Sequence, residues 1–143
     1  MAIKSTASAV WEGSLKEGKG QVSAASGAFD AQAYTFAKRF EGQGGGTTPE
    51  ELIAAAHAAC YAMATSAELG KAGFTPTRLS ARATVTLEPV DGKPTVSTSA
   101  LELEGSVPGI DDERFQAIAA GAKAGCPISR LLGTNITLTA KLV

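Results

Sequence analysis

Two cysteines and one histidine in 143 residues are too few for a disulfide scaffold or a closed structural zinc site, which usually takes four ligands. Neither sign of charge dominates either. The 13 basic residues nearly cancel the 14 acidic ones and form no run or stripe, so neither nucleic acid nor membrane is expected as a partner, and a small molecule is. No apolar run reaches the ~20 residues that span a bilayer. The opening Met1-Ala2-Ile3-Lys4-Ser5-Thr6 has no apolar signal core, which leads to an expected cytoplasmic, reducing location. In that compartment a permanent disulfide is not expected, and two free thiols are either buried filler or redox-active groups. No repeat, low-complexity segment or linker breaks the chain, and its length suits a single domain over residues 1–143 that needs no covalent staples.

What is present reads as an α+β plan. Ser5 to about Ser26 alternates, with Gly13, Gly18 and Gly20, as a two-stranded hairpin anchored by Trp11. Tyr34 to Phe40 also alternates and reads as a third strand. After the loop Gly42-Gln43-Gly44-Gly45-Gly46, Thr48-Pro49-Glu50-Glu51 is a helix start. Thr48 is the cap, Pro49 the first helical residue and Glu51 the capping-box partner. The helix then runs to Gly70 or Gly73, rich in alanine and apolar almost all round, which predicts a central helix covered on several sides. Arg78 to Glu88 and Pro94 to Glu104 alternate as strands joined by a turn at Asp91-Gly92. Asp111 or Asp112 caps a second helix through Lys123 that Gly125 ends, Pro127 restarts a short helix, and Asn135 to Leu142 is a last strand.

The chemistry-bearing residues are few. Cys60 lies twelve residues beyond Thr48, too deep in its helix for the N-terminal dipole to acidify it, so a reactive thiol there needs a neighbouring cation. Cys126 directly precedes Pro127, where backbone N–H groups at a helix start favour a thiolate. Each also reads as filler or a cap, and local physics does not choose which thiol would attack. His57, three residues before Cys60 and on its face, reads as a packed helix histidine ahead of a residue that tunes the thiol. Trp11, Tyr34, Phe36, Phe40, Tyr61 and Phe74 read mostly as core, with some free to line a pocket for an alkyl or aryl group.

Five stretches carry a resemblance: Arg39-Phe40-Glu41-Gly42, Thr48-Pro49 through Cys60, Gly73-Phe74-Thr75-Pro76, Val107-Pro108-Gly109-Ile110, and Ala122-Lys123-Ala124-Gly125-Cys126-Pro127. Together with Trp11-Glu12-Gly13 they resemble the osmotically inducible protein C branch of the OsmC/Ohr thiol peroxidases over nearly the whole chain. Thr48 departs from that pattern, where the family often has asparagine, but both residues cap helices. The resemblance implies antiparallel sheets wrapped around long central helices in an intertwined homodimer, and cysteine-based reduction of organic hydroperoxides. It implies that Cys60 is the peroxidatic thiol and Cys126 the resolving one. Arg39 pairs with the Cys60 thiolate, and Glu50 holds Arg39. It further implies no metal, haem or flavin, and a dithiol reductant protein bearing dihydrolipoyl groups. Taken without the family, Arg39 on a strand is a solvated side chain and Glu50 a dipole-favouring surface acid.

One structural expectation follows from spacing. Glu50 and Cys60 are ten residues apart, about 15 Å along one helix, so an antiparallel helix from a second chain would bring its own Glu50 and Arg39 to Cys60 more simply. The alternative reading is a non-catalytic binding module, with a hydrophobic ligand in the same pocket or a metal held by Cys60, Cys126 and His57.

Overall fold

The computed structural model describes residues 1–143 as two compact units, Met1–Leu52 and Ile53–Val143. In the first unit, β1 (Ala7–Glu12) pairs antiparallel with β2 (Lys19–Ala24), which pairs with the short β3 (Gln32–Tyr34). The Trp11 and Tyr34 rings meet across this sheet with centroids 5.4 Å apart. Gly20 lies between them, and a Cβ there would stand 2.8 Å from the Trp11 ring, so only glycine lets the two aromatics close over the strand. The sheet is otherwise open, with Val10 61% exposed.

The predicted third strand is corrected. Pairing ends at Tyr34, and Phe36–Glu41 is a helix, α1, so Arg39 is helical rather than extended. Local chemistry explains the switch. The Thr35 hydroxyl accepts the Lys38 N–H at 3.1 Å as an N-cap, and Gly42 closes the helix in the left-handed region at φ 69°. Phe36 and Phe40, four residues apart, stack at 4.9 Å.

The long helix α2 (Pro49–Lys71) starts as predicted, with the Glu51 N–H donating to Thr48 Oγ1 at 3.0 Å. The second half of the expected capping box is replaced, because the Glu51 carboxylate accepts from the Thr47 hydroxyl at 2.6 Å. Within the second unit, α2 buries one stripe, His57, Tyr61, Thr65 and Leu69, four residues apart. The remaining faces are less covered than its composition predicts, and Met63 is 76% exposed. No helix is long and apolar enough to cross a membrane.

The rest of that unit is a sheet backed by helices. β4 (Arg78–Val90) and β5 (Lys93–Ser106) form a long antiparallel hairpin, turned by Asp91 and Gly92 with φ of 50° and 75°. α3 (Asp112–Gly125), capped by Asp111, and α4 (Pro127–Leu131) lead to β6 (Asn135–Leu142). β6 pairs with β5 in parallel, so this sheet is mixed rather than wholly antiparallel. The reason is the two-helix crossover, which returns the chain to the end of the sheet where β5 began. The inward rows Leu79, Ala81 and Ala83 of β4, Leu101 and Leu103 of β5, and Ile136, Leu138 and Ala140 of β6 pack with Tyr61, Leu69, Phe115, Ala119 and Ala122. Phe115 fits because Gly105 leaves room, since a Cβ there would lie 2.7 Å from its ring.

Candidate active site

In the first unit, α1 and the opening turn of α2 hold Arg39 against Glu50. The guanidinium Nε lies 3.1 and 3.3 Å from the two carboxylate oxygens, and Nη2 lies 2.7 Å from Oε1. This two-pronged geometry orients a planar cation, which a lysine ammonium could not reproduce. Glu50 is nearly buried, 9% exposed at the side chain, while Arg39 keeps 35% open. One face of the guanidinium lies over the Phe40 ring at 5.2 Å. Beside it, Trp11, Leu15, Tyr34, Phe36 and Phe40 line a hollow of about 220 Å³. Four of the six aromatics named from sequence therefore border this hollow, whereas Tyr61 is core and Phe74 stacks under Arg114 at 4.9 Å.

In the second unit, two distant segments bring the thiols together. Cys60 lies in the middle of α2, and Cys126 joins α3 to α4, with Pro127 opening the latter. Their sulfurs are 2.8 Å apart, inside van der Waals contact, although 66 residues separate them in the chain. The two thiols have opposite environments. Cys126 is fully buried, and burial alone would raise its pKa, but the neighbouring Cys60 thiol, the N–H groups of Ser129 and Ile128 and the Ser129 side chain together hold it below the ordinary thiol value. Cys60 is half-buried, and burial pushes its thiol up, as does the adjacent Cys126, against one favourable N–H from Ile128. Acidity thus favours Cys126 and access favours Cys60. A sulfur with no exposed surface is closed to a solute, so of the two only Cys60 is open to one.

His57 is fully buried, and each ring nitrogen meets a hydroxyl, Nδ1 with Ser99 Oγ at 2.7 Å and Nε2 with Ser129 Oγ at 2.8 Å. Burial lowers its pKa, keeping the imidazole neutral at pH 7. Ser99 and Ser129 escaped sequence reasoning, though a signal exists: Ser99 is in phase with Leu101 and Leu103 on the inward row of β5, where an aliphatic residue is the expectation. With both nitrogens engaged, the ring is not available as the third ligand of the alternative metal reading, and no group of three or more His, Cys, Asp or Glu side chains is arranged to hold a metal ion.

A family model for OsmC-like protein matches residues 42–141. The chain is 51% identical over 142 residues to peroxiredoxin OsmC of Escherichia coli (strain K12), covering 99% of each protein, and equally to peroxiredoxin OsmC of Shigella flexneri. The chain belongs to the OsmC family. Solved structures agree on the fold at low identity. An OsmC-like protein from Mycoplasma pneumoniae superimposes with a TM-score of 0.74 at 19% identity, covering 100% of this chain and 99% of that one. The organic hydroperoxide resistance protein OhrB of Bacillus subtilis gives 0.67 at 21% identity, covering 96% and 98%. The OsmC resemblance stated from motifs is thus borne out, together with the α+β class.

Proposed function

We propose that this OsmC-family chain is a cysteine-based peroxidase that reduces organic hydroperoxides, and also hydrogen peroxide, with Cys60 as attacking thiol and Cys126 as resolving thiol. The observation that carries it is the contact at 2.8 Å between a half-buried Cys60 and a fully buried Cys126. The Cys60 thiolate attacks the outer peroxide oxygen, the O–O bond breaks, and the alkoxide leaves and is protonated to the alcohol. The resulting Cys60 sulfenic acid then meets Cys126, and the S–O bond gives way to a disulfide with loss of water. A burial-raised Cys60 needs a cation for the first step, and the oriented Arg39 fits that task. It favours the thiolate and donates to the departing oxygen as charge develops. The aromatic hollow beside Arg39 suits the alkyl or aryl part of the substrate.

The reading includes a homodimer in which Arg39 and Glu50 of one chain serve Cys60 and Cys126 of the other. Support comes from the spacing of Glu50 and Cys60 along one helix, the exposed Met63 on α2 and the open sheet around Val10, all apolar surface of the kind that a second copy covers. The disulfide is reopened by a dithiol reductant protein, for which the family resemblance points to dihydrolipoyl groups. No metal, haem or flavin enters the scheme. Counting thiols after one equivalent of cumene hydroperoxide tests it. Loss of both thiols with formation of the alcohol is expected, whereas unconsumed peroxide with both thiols intact overturns it in favour of a binding module.

A further inference from the structure

His57 has no part in the scheme above, yet it is fully buried beside the thiols with both ring nitrogens engaged. Its partners are hydroxyls, and that choice has chemical content. A carbonyl only accepts and would pin one tautomer, whereas a serine hydroxyl rotates between donor and acceptor and lets a proton pass along the line. Ser129 sits three residues after Cys126, and its side chain, which meets Nε2 at 2.8 Å, is also among the groups that hold the Cys126 thiol below its ordinary pKa. Ser99 is the hydroxyl in an inward row whose neighbours across the sheet are Val85 and Ile136. The second unit therefore holds Ser99, His57 and Ser129 in one hydrogen-bonded line that ends three residues from Cys126, itself in contact with Cys60.

We propose that His57, acting through Ser129, is the positioning and proton-accepting residue that frees the Cys126 sulfur for disulfide formation, a role that rests on the peroxidase reading. With Nδ1–H donating to Ser99, Nε2 is open to the Ser129 hydroxyl hydrogen. As Cys126 gives its proton to Ser129 Oγ, Ser129 gives its own to Nε2. The sulfur pair of electrons forms the bond to Cys60, the Cys60 S–O bond breaks, and hydroxide leaves with that electron pair. Neutralisation by the imidazolium proton closes the balance at one disulfide and one water. When the dithiol reductant attacks Cys60, Cys126 departs as a thiolate and regains its proton along the same line.

The surroundings suit a ring that starts neutral. On α2 its titratable neighbours are Cys60 and Tyr61, and the Tyr61 phenol, pushed up to about 12 by burial, donates to the Ala119 carbonyl. The α3–α4 junction adds Cys126, α4 an exposed Arg130, and α3 brings Lys123, whose ammonium donates to the Ile136 carbonyl at 3.3 Å. The sheet's charges, Arg78, Arg82 and Glu88 of β4, Lys93, Glu102 and Glu104 of β5 and Lys141 of β6, are all exposed. No carboxylate bonds the imidazole, and burial lowers its pKa.

The test is single-turnover oxidation of reduced protein by cumene hydroperoxide, with a peroxide-dependent first phase for Cys60 and a peroxide-independent second phase for the disulfide, followed from pH 6 to 10. In His57→Gln, which keeps a hydrogen-bonding side chain without a base, the ratio of second-phase to first-phase rate should fall by roughly 10- to 30-fold at pH 7 and approach the wild-type ratio near pH 10, where the thiol ionises unaided. Ser129→Ala should do the same with His57 in place, and it decides the matter if His57→Gln does not fold. Ser129→Thr, which retains the hydroxyl, should restore the ratio. A wild-type ratio and pH profile in a folded His57→Gln or Ser129→Ala protein overturns the relay, as does a loss that is equal at every pH. Wild-type protein that forms no Cys60–Cys126 disulfide overturns the peroxidase reading itself.

Discussion

Replacing Arg39 with methionine separates two contributions that the fork to Glu50 combines. An unperturbed thiol of pKa about 8.5 is only ~3% thiolate at pH 7, so full ionisation is worth roughly 30-fold, or about 2 kcal/mol. Burial raises Cys60, so that factor is a lower bound here. Loss of an oriented donor to the departing oxygen costs roughly 10²–10³ more, by comparison with deletion of an oxyanion donor. The two together predict a fall of roughly 3,000- to 30,000-fold in Cys60 oxidation at pH 7, about 5–6 kcal/mol. Stopped-flow oxidation across pH 6–10 is the assay. Only the ionisation part should return at high pH, because deprotonating the thiol does not replace the donor. Arg39→Lys should recover only part of the rate, since a point charge cannot form both bonds to Glu50. Arg39→Met also strands a nearly buried carboxylate. The penalty should stay below the roughly 3–5 kcal/mol of a fully buried pair because Arg39 is a third exposed. Arg39→Met combined with Glu50→Gln removes that stranded charge, so a rate still depressed at pH 10 in the double variant belongs to the missing donor. Full rates for Arg39→Met at high pH would confine Arg39 to a pKa role and refute the larger claim.

Cys60→Ser should abolish peroxide reduction, while Cys126→Ser should complete one turnover and stall with sulfenic or overoxidised Cys60. Mass spectrometry after one equivalent of peroxide checks this, and sulfenic acid on Cys126 with intact turnover would reverse the roles. Mixing Cys60→Ser with Arg39→Met subunits under exchange conditions should restore one working site per heterodimer, whereas inactive mixed dimers would exclude a site shared between chains. Tyr61→Phe should lose about 1 kcal/mol in urea unfolding, because it deletes one buried hydrogen bond to the Ala119 carbonyl without changing the packed ring. A loss above about 3 kcal/mol would mean that the hydroxyl does more than satisfy that carbonyl.

Elements whose signals are local were legible in the sequence. The β4–β5 hairpin follows from long alternation around Asp91-Gly92, and α2 from Thr48-Pro49 and its alanines. The α3 start follows from Asp111, whose carboxylate accepts the Arg114 N–H at 2.8 Å. The motifs around the two cysteines carried the family, and with it the pairing of Arg39 with Glu50. Where two periods fit the same few residues, sequence could not decide. Tyr34 and Phe36 suit a strand, Phe36 and Phe40 suit a helix, and the Thr35 cap and the Gly42 closure tip the balance. The parallel direction of β6 was likewise hidden, because it depends on where the α3–α4 crossover ends rather than on anything within Asn135–Leu142. Only the tertiary structure brings Cys60 against Cys126, and seats His57 between Ser99 and Ser129, residues 42 and 72 positions away. Periodicity reports which face of an element is buried, not which polar atoms meet there. Those meetings are set by how the sheet and helices pack, and they decide which thiol is acidic, which is accessible and where a proton can go.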